Sequence, residues 1–161
     1  QVPSGGAEGV VLAQGGRFGG WSLYLVDGRP TFSYNWLGLQ RYTIAAAEAL
    51  PAGDAVIRFE FAYDGGGYGL GGSGRLFVDG LNVAEGRIEK THGFIFSPDE
   101  GADVGQDGET PVVESYGIDA PYRFTGKIGK VVVDLDPAKP EERIKASEAQ
   151  NEAAAKKALR D

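Results

Sequence analysis

Alternation of apolar and polar residues is the strongest pattern in the chain. In AVIRFEFAY, Ile57, Phe59, Phe61 and Tyr63 point to one side and Val56, Arg58, Glu60 and Ala62 to the other, the period of a half-buried strand. WSLYLVDG and GRLFVDG each end in Asp-Gly, at Asp27-Gly28 and Asp79-Gly80. That pair accepts positive φ and turns the chain directly into a neighbouring strand, so each marks a hairpin. Further strands are predicted at Val10 to Gln14, Thr31 to Trp36, Arg41 to Ala45, Leu81 to Ile88, Phe94 to Ser97 and Lys127 to Leu135; in the last, Val131, Val133 and Leu135 share a face. Short strands punctuated by Gly and Pro predict an all-β fold, a two-sheet antiparallel β-sandwich rather than βαβ units.

The pattern breaks after Asp136-Pro137. AKPEERIKASEAQNEAAAKKALRD is rich in Ala, Glu and Lys, with Glu141 and Glu142 early and Lys156, Lys157 and Arg160 late, an order that complements a helix dipole. Its only large apolar residues are Ile144 and Leu159, too few to hold a helix in place unaided. The expected organisation is a linker over 1–8, a sandwich domain over 9–136 and a C-terminal helical tail over 137–161. The linker-like QVPSGG, starting at Gln1 without Met, is what an excised domain or a processed fragment would carry.

Composition narrows the function. A chain of 161 residues fits one domain with its own core, and 26 glycines suit many tight turns. The formal net charge is -7, and the segment from Thr91 to Tyr122 holds seven acids and neither Lys nor Arg; the other 16 acids balance the 16 bases. The excess negative potential therefore sits in one stretch, which argues against nucleic acid or an anionic membrane as partner and suits a cation. No apolar run approaches the roughly 18 residues that span a bilayer, and no signal-peptide pattern is present, so the chain is expected to be soluble. The absence of cysteine removes disulfides, thiolate nucleophiles and Cys-ligated zinc.

Gly67, Gly69 and Gly72 spell G-x-G-x-x-G. A dinucleotide turn needs a helix N-terminus after the glycines, and here the strand GRLFVDG follows. The stretch is read instead as a flexible hairpin loop in which Gly65, Gly66, Gly67, Tyr68 and Gly69 let another backbone approach closely. The acidic loop SPDEGADVGQDGETPVVE is the metal candidate, with Asp99, Glu100, Asp103 and Asp107 as oxygen ligands for calcium. It imitates an EF-hand from Asp103, but Gly105 and Pro111 stand at ligand positions and the flanks are not helical. A solvated acidic loop is the alternative. His92 is the only histidine and has no nucleophile motif around it, so it is read as structural. Glu60 and Asp64 are read as part of an exposed, ion-paired strand face with Arg58, not as a glycosidase pair. Trp21, in phase with Leu23 and Leu25, is expected in the core. Tyr34, Trp36 and Tyr42 straddle a turn and are the residues that would stack on a sugar ring.

Several stretches together resemble the C-terminal β-sandwich region of long bacterial arylsulfatases of the alkaline-phosphatase-like superfamily: VLAQGGRFGGWSLYLVDGRPTFSYNWLG, RFEFAYDGGGYGLGG, FVDG, FSPDEGADVGQDGETPV and FTGKIGKVVVDL. The resemblance spans about Gly9 to Leu135. It implies a concanavalin-like or laminin-G-like jelly roll, a periplasmic or extracellular setting, and a sulfatase catalytic domain or a self-associating subunit as partner. It brings no active site, because the family's C/S-x-P-x-R and its metal cluster belong to another domain. The nearest string, Asp119-Ala120-Pro121-Tyr122-Arg123, has an Asp that cannot become formylglycine. The chain is thus expected to be a non-catalytic accessory domain. The alternative is a free-standing lectin-like module that binds a glycan, with calcium as its cofactor.

Overall fold

A computed structural model describes residues 1–93, 95–96, 100–108, 110–136 and 148. Within them eight strands form: β1 Gly9–Gly16, β2 Gly19–Val26, β3 Arg29–Trp36, β4 Gln40–Ala45, β5 Ile57–Tyr63, β6 Gly72–Val78, β7 Leu81–Ile88 and β8 Ala102–Val104. They make two antiparallel sheets, one in the order β4-β3-β2-β1-β8 and one in the order β5-β6-β7. Both predicted Asp-Gly turns are present, with φ of 51° and 69° at Asp27 and Gly28 and 49° and 84° at Asp79 and Gly80. The β3–β4 turn achieves the same reversal with Leu37 and Gly38, at 56° and 71°, and the Asn35 side chain accepts the Gly38 N–H at 2.9 Å.

The larger sheet is covered on both faces, which is why β3 is buried from Pro30 to Asn35. On the inner face, Trp21, Leu23, Phe32, Tyr34 and Ile44 meet Phe59, Leu76 and Ile88 of the smaller sheet. The rings of Phe32 and Phe59 stack 3.5 Å apart. On the outer face, Val10, Ala13 and Tyr24 are covered by Val112, Val113 and Tyr116 from the segment after β8. The hydroxyls of Ser33 and Tyr24 meet there at 3.0 Å. Glycines set the thickness of the inner layer: a Cβ at Gly74 would stand 2.6 Å from Ile44 Cδ1 and 2.7 Å from Phe59 Cζ.

Four expectations need revision or fall outside the description. The predicted strand Lys127 to Leu135 does not form. The Lys127 N–H bonds to the Gln1 carbonyl at 3.0 Å, but past it no described residue pairs, because an alternating pattern supplies a face without supplying a neighbour. Ile95 and Phe96 lie in no strand, and Phe94 and Ser97 are outside the described residues; Phe96 is held by ring contacts with Tyr34 and His92. Residues 1–8, read as a linker, are packed. Val2 is buried against Leu25 and Leu50 and exchanges backbone bonds of 2.7 and 2.9 Å with Gly53. The helical tail over 137–161 lies outside the described residues apart from Glu148.

Candidate functional site

Four connections meet at one end of the sandwich: the β1–β2 turn, the β3–β4 turn, the β5–β6 loop over 64–71 and the exit from β7. Asn35, fully buried, ties two of them to the segment beyond β8. Its Nδ2 donates to the carbonyls of Gly16 at 3.0 Å, Arg17 at 2.9 Å and Val112 at 3.1 Å. Sequence reasoning missed this hub, since an Asn in a strand carries no local sign that three carbonyls will surround it.

His92 joins the β7 exit to β3. The Tyr34 hydroxyl accepts the His92 backbone N–H at 2.8 Å and lies 2.8 Å from Nδ1, so this network assigns the neutral ring's proton to Nε2. Burial lowers the imidazole below its ordinary 6.5, and the Phe18 carbonyl pulls weakly the other way; the ring is neutral at pH 7. Among the described residues Nε2 has no partner with hydrogen-bond geometry, and a Cβ at Gly19 would collide with it at 2.1 Å. Burial also pushes the Tyr34 hydroxyl up to about 12. Among the described residues the ring's hydrogen-bond partner is the Tyr34 hydroxyl, kept protonated by burial, and the pair braces the β7 exit against β3.

The glycine-rich loop is better anchored than its sequence suggests. Tyr63 turns its hydroxyl into the loop, donating to the Gly67 carbonyl and accepting the Leu70 N–H at 3.1 Å. Thr91 donates to the Leu70 carbonyl at 2.7 Å, and Arg87 forks onto Asp64 with bonds of 3.0 and 2.7 Å. Gly65, Gly66, Gly67 and Gly69 take φ of 75°, 85°, 156° and 72°, conformations that side chains resist. The element after Gly72 is β6, so no helix N-terminus faces these glycines. Phe61, Tyr63, Tyr68 and Leu70 are each about two-fifths exposed at this loop and the strand that enters it, an apolar rim.

Of the three aromatics singled out for stacking, Tyr34 and Tyr42 are buried, paired across β3 and β4. Trp36 alone is partly open, with the Lys90 ammonium 4.6 Å above its ring. On the outer face of the smaller sheet, Arg58 pairs with Glu60 and sits 4.3 Å over the Phe77 ring, the exposed ion pair expected there. A shallow recess near the β1–β2 and β3–β4 turns is lined by Arg17, Arg41, Pro111 and Glu114, with Arg41 bonded to Glu114 at 2.6 Å.

Two carboxylates of the acidic loop, Asp107 and Glu100, are used internally. Asp107 is buried and accepts the N–H groups of Gly108 and Val112, each at 2.9 Å, and the Tyr116 hydroxyl. Glu100 takes both the N–H and the hydroxyl of Thr110, at 3.1 and 2.7 Å. Asp103 lies in β8 opposite Ala13, and Asp99 is outside the described residues. Among the described residues no three acids or histidines converge as a metal site would require. The Asp119 to Arg123 string is a turn: the Tyr122 N–H bonds to the Asp119 carbonyl at 2.9 Å, and the Tyr122 carbonyl accepts from Val10 at 2.9 Å.

Compared with protein-family models, curated proteins and solved structures, the chain matches none significantly.

Proposed function

We propose that this chain is a non-catalytic sandwich module that works by contact, an accessory domain of an arylsulfatase-type hydrolase packing on its catalytic domain or between its subunits. The finer jelly-roll likeness to concanavalin and laminin-G domains, and the periplasmic or extracellular setting, belong to the same reading. The observation that carries it is the rim at the glycine-rich loop. Phe61, Tyr63, Tyr68 and Leu70 keep apolar surface in water, on a loop whose backbone is fixed by Tyr63, Thr91 and Arg87. A rigid apolar rim of this kind is what a packed interface uses. Three of the titratable groups, Asp107 and Glu100 in the outer layer and His92 at Tyr34, are meanwhile engaged in structural bonds.

The purified chain is expected to turn over no aryl sulfate; turnover in this chain, which has no formylglycine precursor, would overturn the reading. Sequencing upstream of Gln1 in its coding region provides the positive arm, through a C/S-x-P-x-R motif several hundred residues earlier. The lectin-like alternative now rests on Trp36 and the rim tyrosines. Glycan-array binding abolished by Trp36→Ala would favour it.

A further inference from the structure

The two sheets are unequal, and the missing position is specific. β7 and β6 lie over β4 and β3, while Ile57 and Phe59 bring β5 over Leu23 of β2. With strand orders β7-β6-β5 and β4-β3-β2-β1-β8, the next place outward from β5 lies over β1 and β8. There Val104 is exposed and Leu12 only partly covered, and Phe61 and Tyr63 on the inner face of β5 stay open for want of a neighbour. β5 is therefore a seven-residue edge with a half-covered apolar face beside it, an arrangement that invites strand addition.

The same molecule carries an unplaced strand. Lys130 to Leu135 reads K-V-V-V-D-L, with Val131, Val133 and Leu135 on one side. Val132, Val133 and Leu135 are 59, 58 and 85% exposed, and this segment makes no backbone hydrogen bond to a described residue. Its root is clamped, since Lys127 exchanges bonds with Gln1 and the Thr125 N–H is held by the Glu8 carbonyl, and from that root it leaves its own β5 unpaired.

We infer that Lys130–Leu135 of one copy adds antiparallel to the β5 edge of a second copy, completing the smaller sheet by β-augmentation. One register satisfies both faces. With Val133 opposite Phe59, Val131 meets Phe61 and Leu135 meets Ile57 on the inner face. On the outer face Asp134 stands opposite Arg58, and Lys130 falls between Glu60 and Asp64. A one-residue slip would place the apolar set in solvent and lose both charge matches. Because every copy carries both the strand and the edge, the contact either closes reciprocally as a dimer or continues head to tail. The contact takes Phe61 from the rim at the glycine-rich loop and holds whether or not a hydrolase domain precedes the chain.

Sedimentation or light scattering of the full chain across concentration is the test, with the thermal transition as a check on folding. Mass should rise above that of one chain. Val133→Pro, at an exposed position, should weaken association by roughly tenfold through the lost ladder bond and ring clash. Arg58→Asp should weaken it too, and adding Asp134→Arg to that variant should restore it. A single-chain mass at all concentrations, association indifferent to Val133→Pro, no rescue by the charge swap, or amide protection of 130–135 in a monomer, which would mean pairing within one molecule, would each overturn the proposal.

Discussion

Asn35 and Asp107 are neighbours in effect, because both fasten the segment after β8 to the outer face of the larger sheet. The two Nδ2 hydrogens of Asn35 are shared among three carbonyls. Asn35→Asp keeps the shape and replaces that donor with an acceptor. The expected loss is about 3 kcal/mol in urea unfolding, since buried carbonyls are left unpaired and a carboxylate is buried among them. A loss below about 1 kcal/mol would mean that these bonds hold nothing together. Asp107 supplies the complementary test. Burial pushes its carboxyl above the ordinary 3.8, the bonds from Tyr116, Val112 and Gly108 pull it back, and Glu100 adds to the rise. A folded pKa above the unfolded one means that the native state holds the proton more tightly. The resulting stabilisation is complete below 3.8 and is lost as pH rises through the folded value. The stability of the natural chain relative to Asp107→Asn should therefore fall as pH is raised from below 3.8 to well above it, measured by unfolding at a series of pH values. A relative stability that grows with pH would show the three donors outweighing burial. The sequence offered Asp107 as one of four candidate calcium ligands; that its donors come from residues one, five and nine positions later depends on a chain path that no local pattern encodes.

Period two located seven of the eight strands, because alternation is imposed on each strand separately by its own half-buried faces. β8 escaped: three residues among acids and glycines carry no alternation, and it pairs only because β1 offers Leu12, Ala13 and Gln14 as partners. Lys127 to Leu135 erred in the opposite direction, with a strong pattern and no strand partner among the described residues. Phe61 and Tyr63 share the face of Ile57 and Phe59 as expected, but the pattern does not reveal where the facing sheet ends. Layer thickness was equally hidden, since it depends on which glycines lie opposite large side chains. Gly74→Ala tests this at the level of the element. Its methyl would meet Ile44 Cδ1 and the Phe59 ring, and overpacking should cost about 1 to 3 kcal/mol. Ile44→Val alone should cost about 1 kcal/mol for the lost methylene. In the Gly74→Ala background the same change removes the obstructing atom, so the pair should be less damaging than the sum by at least about 0.5 kcal/mol. Additive losses would locate the strain elsewhere.

At the scale of the whole molecule, the chain closes on itself through its first eight residues. Pro3, Ser4 and Gly5 are exposed, yet Val2 before them and Ala7 after them are buried. Gln1 pairs with Lys127 and Val2 with Gly53. The Glu8 carboxylate accepts the Gly28 N–H of the β2–β3 turn at 2.9 Å, and its backbone N–H donates to the Thr125 hydroxyl at 2.9 Å. The stretch therefore joins three regions: the β2–β3 turn, the connection before β5 and the segment around Thr125 and Lys127. Deleting residues 1–8 removes the Val2 side chain, worth about 1.5 kcal/mol by burial alone, and opens Leu25 and Leu50 to water. It also frees the hydrogen-bonding groups of Gly28, Gly53 and Thr125. The expected total is about 3 kcal/mol or more, with a fall in melting temperature of several degrees for a domain of this size. Val2→Ala separates the two contributions, because it keeps every backbone bond and removes most of the apolar burial without burying a charge. If deletion and Val2→Ala cost the same, the core contact is what matters and the backbone bonds are incidental. If deletion costs clearly more, the segment acts as a strap. Were deletion to cost nothing, the packing of residues 1–8 would be incidental and the linker reading correct after all.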